Sequence, residues 1–399
     1  MLSPGLERFR AMMEADPTLQ ERLNQPDDPA SFIATTVSMA RDHGIDLNAL
    51  EVAAALESGR QIPASNQVRL PPRGWLPVRT QWHERALWLD WAYVGPEPFR
   101  EPFFEQSVVR WCSKPFNRLF HYATPFDALT EAQPQHLQLA PSGFIFHMSR
   151  CGSTLVSQML AASPRHVVIS EAEPIDAVVQ ARRASPDLTE DQQVAMLRTM
   201  VGALGQARSS EQQHLFVKLD SWHTLALPLF RRAFPDTPWI FLYREPVEIL
   251  VSHSRRRGMH MVPGLLGDVF GEPPEAAPNL DAYCGHVLGR IGESALQNHA
   301  HGASLLMNYT GLPEAIWTDV LPHFGIHCSA ADRAAMAHIG QYDAKTPDRP
   351  FAGDSIAKRE AATPAIVRAA SRLSALHAKL EALRATMRDD RGIVEPARP

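Results

Sequence analysis

From residue 143 onward the chain repeats one pattern, a short apolar run followed by a segment of helical periodicity. The runs are Gly143-Phe144-Ile145-Phe146-His147, Val167-Val168-Ile169, Leu215-Phe216-Val217, Trp239-Ile240-Phe241-Leu242-Tyr243 and Ser304-Leu305-Leu306-Met307. Apolar residues in unbroken sequence, rather than in alternation, suit strands covered on both faces. Helical connections between them suit parallel pairing. The expected fold over 141–390 is therefore α/β, a parallel sheet flanked by helices, ending in a covering or oligomerisation helix at about 364–388.

The first 56 residues read as a separate small all-α domain. Leu6, Phe9, Met12 and Met13 recur at helical spacing up to Asp16-Pro17, and Leu19 and Leu23 follow. Phe32, Ile33, Thr36, Val37 and Ala40 give a second period that stops at Gly44, and Asp46 is placed to cap a third helix through Leu56. Residues 57–75, polar with Pro-Pro and Gly, read as a linker. Residues 76–140 are rich in Trp, Phe and Pro and read as an elaboration of the main domain. Their aromatics either pack that segment or line an acceptor pocket.

With 399 residues and 45% apolar content, the chain is long and apolar enough for a sizeable core; its 33 prolines imply many loops. The net charge of −5 gives no global attraction to nucleic acid, so anion binding must come from a local site. Cys112, Cys151, Cys284 and Cys328 are scattered without a Cys-x-x-Cys pair, which suits free thiols in a reducing compartment. No signal-type apolar segment opens the chain and no run approaches a membrane span, so a cytoplasmic location with no membrane partner is expected. The 17 histidines form no ligand spacing, and no metal is expected.

The chemistry gathers in two stretches. In Phe146-His147-Met148-Ser149-Arg150-Cys151-Gly152-Ser153-Thr154 a strand leads through a tight turn into a helix. Such a helix start points free N–H groups and positive dipole at an anion. Gly152 allows close backbone approach, Ser153 and Thr154 add hydroxyls, and Arg150 adds a fixed charge. No Gly-Lys-Ser/Thr triplet ends the turn, so it is not a Walker A loop. No arginine follows within reach of Cys151, as a thiol phosphatase would need. The second stretch, Trp239 to Pro246, is a strand ending in Arg244-Glu245-Pro246. Ser252 lies eight residues past Arg244 on the next helix, where the two can hold one phosphate.

Together these stretches resemble the sulfotransferases that use 3′-phosphoadenosine 5′-phosphosulfate, which have a P-loop NTPase-like fold. Arg150 to Thr154 resembles that family's Arg/Lys-Ser-Gly-Thr-Thr loop. Arg244-Glu245-Pro246…Ser252 is similar to its Arg-Asp-Pro…Ser element, which holds the donor's 3′-phosphate. The resemblance implies donor contacts from Ser149, Arg150, Cys151, Gly152, Ser153, Thr154, Arg244, Ser252 and Tyr309, and from Lys358 and Arg359 in a basic loop. Glu171 looks like the catalytic carboxylate of the tyrosyl-protein branch, with His223 and Asp220 as rival bases. Departures are Cys151 for serine, Ser153 for the first threonine and Thr310 for an acid. Residues 1–56 resemble the Nif-eleven leader-type domain, which implies recruitment of a peptide acceptor; the same helices could instead simply stabilise the core. The competing readings are a kinase-like nucleotide enzyme and a non-catalytic docking protein.

Overall fold

The computed structural model describes residues 3–58, 70–131, 138–271, 279–301, 303–351 and 353–390, so most of the expected linker lies outside the described residues. The chain forms two compact units. One comprises Met1–Ala140 with Glu171–Gln213, the other Pro141–Ser170 with His214–Pro399. This division takes residues 171–213 away from the α/β stretch in which sequence order places them.

In the first unit the N-terminal region has four helices, Pro4–Ala15, Pro17–Leu23, Pro29–Asp42 and Ala49–Glu57, rather than three. Asp16 explains the extra one: it ends the first helix in extended conformation and its carboxylate caps the second, accepting from the Thr18 and Leu19 amides. The last helix is capped by Asn48 in a capping box with Glu51, not by Asp46. An antiparallel sheet follows, with strands β1 (Trp75–His83), β2 (Ala86–Tyr93) and β3 (Tyr122–Pro125) in that order. The helices join it directly. The Trp75 indole N–H donates to Gln20 at 2.9 Å, Arg118 donates to the Leu56 carbonyl at 2.8 Å, and the Phe9 and Phe120 rings meet. Trp75, Tyr93, Phe116 and Tyr122 form one ring cluster. The helix Glu173–Val179 belongs here too, Glu173 accepting from the Thr80 hydroxyl at 2.6 Å.

The second unit holds the parallel sheet. Its strands are β4 (Pro141–His147), β5 (His166–Ser170), β6 (His214–Lys218), β7 (Trp239–Tyr243) and β8 (Ser304–Asn308), in spatial order β5-β6-β4-β7-β8 and all parallel. Each apolar run of the sequence became one strand, and β7 is buried at every position. The chain passes from β4 outward to β5, returns through β6, then crosses to β7 and β8 on the other side. The order thus reverses around β4, and in open α/β sheets ligands bind at the carboxyl ends of the strands at such a point. The expected terminal helix is two helices, Pro364–Ser371 and Ser374–Asp390.

Candidate active site

The end of β4 runs into a strained turn. Ser149 and Arg150 have φ of +69° and +50°, conformations that cost non-glycine residues on the order of 1 kcal/mol or more each. Two imidazoles hold the first of them. His147 Nε2 lies 2.9 Å from the Leu219 carbonyl and must donate to it, so its Nδ1 accepts the Ser149 N–H at 3.1 Å. His253 Nδ1 accepts the Gly258 N–H at 3.3 Å, so its Nε2 donates to Ser149 Oγ at 3.1 Å. Burial, aided by the nearby positive groups His260 and Arg150, pushes the His253 pKa down to about 2, which keeps this ring neutral.

Gly152, at φ +90°, caps the helix Ser153–Ala161 and, having no side chain, makes no cap hydrogen bond of its own. A Cβ at Gly152 would lie 2.5 Å from Leu312 Cδ1 and 3.0 Å from Tyr309 Cδ2, so only glycine fits. Cys151 is fully buried, its Sγ 3.2 Å from the Leu242 carbonyl, and burial pushes the thiol up to about 12. It is structural and not a nucleophile.

This turn lines a cavity of about 230 Å³ together with Arg244, Ser252, Tyr309 and Lys358. The sequence-predicted residues Arg150, Cys151, Gly152, Ser153 and Thr154 all reach it. Asp343, Lys345, Phe351 and Asp354 line it as well, with Leu155 and Ala344, so the lining carries four cations and two carboxylates. Four of the predicted residues, Ser149, Glu171, His223 and Arg359, are not among the lining, nor is the rival base Asp220. Ser149 is buried against His253, Arg359 pairs with Glu248 at 2.8 Å, and His223 is fully buried with Nδ1 4.0 Å from the Asp220 carboxylate. Glu171, at φ +55°, opens the segment that belongs to the first unit.

Arg244 follows the last residue of β7 and is 3% exposed. Its guanidinium lies 3.8 Å from the centre of the Tyr309 ring. Its Nε donates to Glu248 at 2.5 Å, and one terminal nitrogen donates to Asp354 at 2.6 Å and to Ser355 at 3.1 Å. Burial opposes the charge on Arg244, but the two carboxylates outweigh it and raise the pKa. Lys358 pairs with Asp354 at 2.6 Å, yet burial and the neighbouring Arg244 lower its pKa. The sequence had not pointed to Glu248 or Lys345. Glu248's position, four residues past Arg244 on a helix, was the one signal available.

Among the described residues, no three His, Cys, Asp or Glu side chains gather so as to hold a metal ion, and no helix is long and apolar enough to cross a membrane. No curated protein matches the chain. Among solved structures, the sulfotransferase domain of the Synechococcus PCC 7002 olefin synthase is 16% identical over 61% of this chain and 97% of its own, with a TM-score of 0.36. The sulfotransferase domain from the curacin biosynthetic pathway is 16% identical over 60% and 99%, with a TM-score of 0.40. A sulfotransferase from Mycobacterium tuberculosis H37Rv is 14% identical over 53% and 75%, at 0.36. The model of the sulfotransferase family matches residues 141–261. The matched stretch holds both the Arg150–Thr154 turn and the Arg244–Ser252 element.

Proposed function

We propose that the protein transfers a sulfuryl group from 3′-phosphoadenosine 5′-phosphosulfate to a hydroxyl or amine acceptor. One observation carries the reading: the Arg150–Thr154 turn and the Arg244–Ser252 element, 94 residues apart at their arginines and both inside the family match, line one cationic cavity. Two separated anion-binding features suit a nucleotide with phosphate at both its 5′ and 3′ positions. Arg150 and the first amides of the Ser153–Ala161 helix face the 5′ side, and Arg244 with Ser252 takes the 3′-phosphate. Lys358 adds charge between them.

The acceptor atom bonds to sulfur as the bond from sulfur to the 5′-phosphate oxygen breaks. The electron pair left on that oxygen is stabilised by Arg150 and the helix amides, and the acceptor proton passes to a base. Glu171 is the proposed base, on its position after the second parallel strand and its likeness to the tyrosyl-protein branch. Glu171→Gln should lower turnover about 10²- to 10⁴-fold while leaving donor affinity little changed. Near-normal activity in that variant, with an inactive His223→Ala, would transfer the role to His223.

Calorimetry tests the donor. 3′-Phosphoadenosine 5′-phosphate should bind at least about 30-fold more tightly than ADP, the worth of a charge-assisted contact of roughly 2 kcal/mol. Equal affinities would remove the donor assignment. Catalysis that EDTA abolishes and Mg²⁺ restores would favour a kinase-like enzyme instead.

A further inference from the structure

Arg244 is already occupied by an anion of the protein's own. The Asp354 carboxylate lines the cavity and spans two of its cations, Oδ1 on Arg244 at 2.6 Å and Oδ2 on Lys358 at 2.6 Å. Ser355, the next residue, accepts from the same Arg244 nitrogen at 3.1 Å and donates to Glu248 at 2.9 Å. The carboxylate oxygen and the hydroxyl oxygen thus fill donor capacity on this guanidinium that a bound phosphate would use. The two carboxylates on Arg244 differ in kind. Glu248 is 2% exposed, lies one helical turn away and is held also by Arg359, so it is part of the arginine's fixed seat. The Asp354 side chain is 44% exposed, sits 110 residues away in sequence and precedes a six-residue helix, Ser355–Glu360. It can turn outward without unseating the guanidinium.

We propose that Asp354 is an internal competitor for the ligand phosphate: it neutralises Arg244 in the empty site, yields to the nucleotide's 3′-phosphate, and retakes Arg244 as the nucleotide leaves. This rests on the donor reading above. A dianionic phosphate outcompetes one carboxylate for a guanidinium and an adjacent ammonium, whereas a nucleotide without it has nothing to exchange for Asp354. Asp354 thus holds product affinity down and speeds release, a step that often limits turnover.

The test is calorimetry of 3′-phosphoadenosine 5′-phosphate and ADP against wild type, Asp354→Asn, Asp354→Ser, Arg244→Ala and the Arg244→Ala/Asp354→Asn double variant, with thermal melting of each. Both Asp354 variants should bind the 3′-phosphorylated nucleotide about tenfold more tightly than wild type, release it more slowly in stopped flow, and leave ADP within about twofold. In the Arg244→Ala background, Asp354→Asn should gain almost nothing. Weaker or unchanged binding in both variants overturns the proposal. So does equal tightening of both nucleotides, or a gain that persists without Arg244, because each marks a general charge effect. Wild type that fails to prefer the 3′-phosphorylated nucleotide removes the donor reading and this inference together. A wild-type preference with unresponsive Asp354 variants removes the inference alone.

Discussion

His253 sits where a protonated ring would face His260, Arg150, Arg257 and Lys345, and where nearly all water is excluded. The unfolded imidazole takes up a proton below its ordinary value of 6.5, but the folded one does so only near 2. Between those values the unfolded state binds more protons, so stability falls as pH drops, by about 1.4 kcal/mol per unit for one such group. His166, lowered to about 4 mainly by burial, acts in the same sense between 6.5 and its own value. His253→Gln keeps a donor for Ser149 and should remove about one proton from the slope of unfolding free energy against pH. Urea titrations between pH 5 and 7 read this, and an unchanged slope would show that His253 titrates normally. None of this was legible in sequence, where His253 is one histidine among 17. Its role follows from the Gly258 amide and the Ser149 hydroxyl, contacts that depend on the folded turn. Arg244 and Ser252 were legible because strand end and helix face are local patterns. Asp354 was visible only as part of a basic loop; that it opposes Arg244 depends on a contact spanning 110 residues.

The strands of the parallel sheet announce themselves because burial on both faces leaves no polar position to confuse the pattern. The antiparallel strands β1 and β2 did not. They carry Trp82, Trp88, Arg79 and Asp90, and they turn through Glu84 and Arg85, both at positive φ, without the glycine or asparagine that marks a tight hairpin. The terminal segment was expected to be a covering or oligomerisation helix; its second helix, Ser374–Asp390, makes a more specific contact. Glu381 accepts from the Tyr243 hydroxyl and from the Asn308 amide, each at 2.6 Å, so it ties the last residue of β7 to that of β8. Arg384 holds its other oxygen at 2.9 Å. Arg244 and Tyr309 follow those two strand ends directly, so the tie sets the spacing of the arginine and the ring it lies over. Glu381→Ala leaves a fully buried tyrosine hydroxyl without its acceptor and should cost about 2–4 kcal/mol in urea unfolding. Glu381→Gln, which still accepts, should cost less than half of that. Equal losses in the two variants would mean that charge, not hydrogen bonding, makes the tie.

On the scale of the whole chain, the N-terminal helices contribute to the first unit's core. Leu6, Phe9, Met13, Leu23, Phe32 and Met39 are all buried; Gln20 accepts from Trp75 at the end of the expected linker, and Leu56 accepts from Arg118 beyond it. Deleting residues 1–60 should therefore lower the melting temperature by several degrees or cause aggregation, as measured by calorimetric scanning. A truncated protein that melts normally but handles its natural acceptor poorly would instead support recruitment of a peptide by these helices.

The strand order has one more consequence. The family match ends at residue 261, but β8, which covers the outer edge of β7, begins at Ser304. A fragment cut at the end of the match would leave Trp239-Ile240-Phe241-Leu242-Tyr243 as an open edge, uncharged and free of proline, its amides and carbonyls unpaired on one side. Such an edge recruits strands from other chains. The segment most recognisable in sequence would thus be prone to intermolecular sheet growth by itself, whereas in the whole chain β8 pairs that edge of β7.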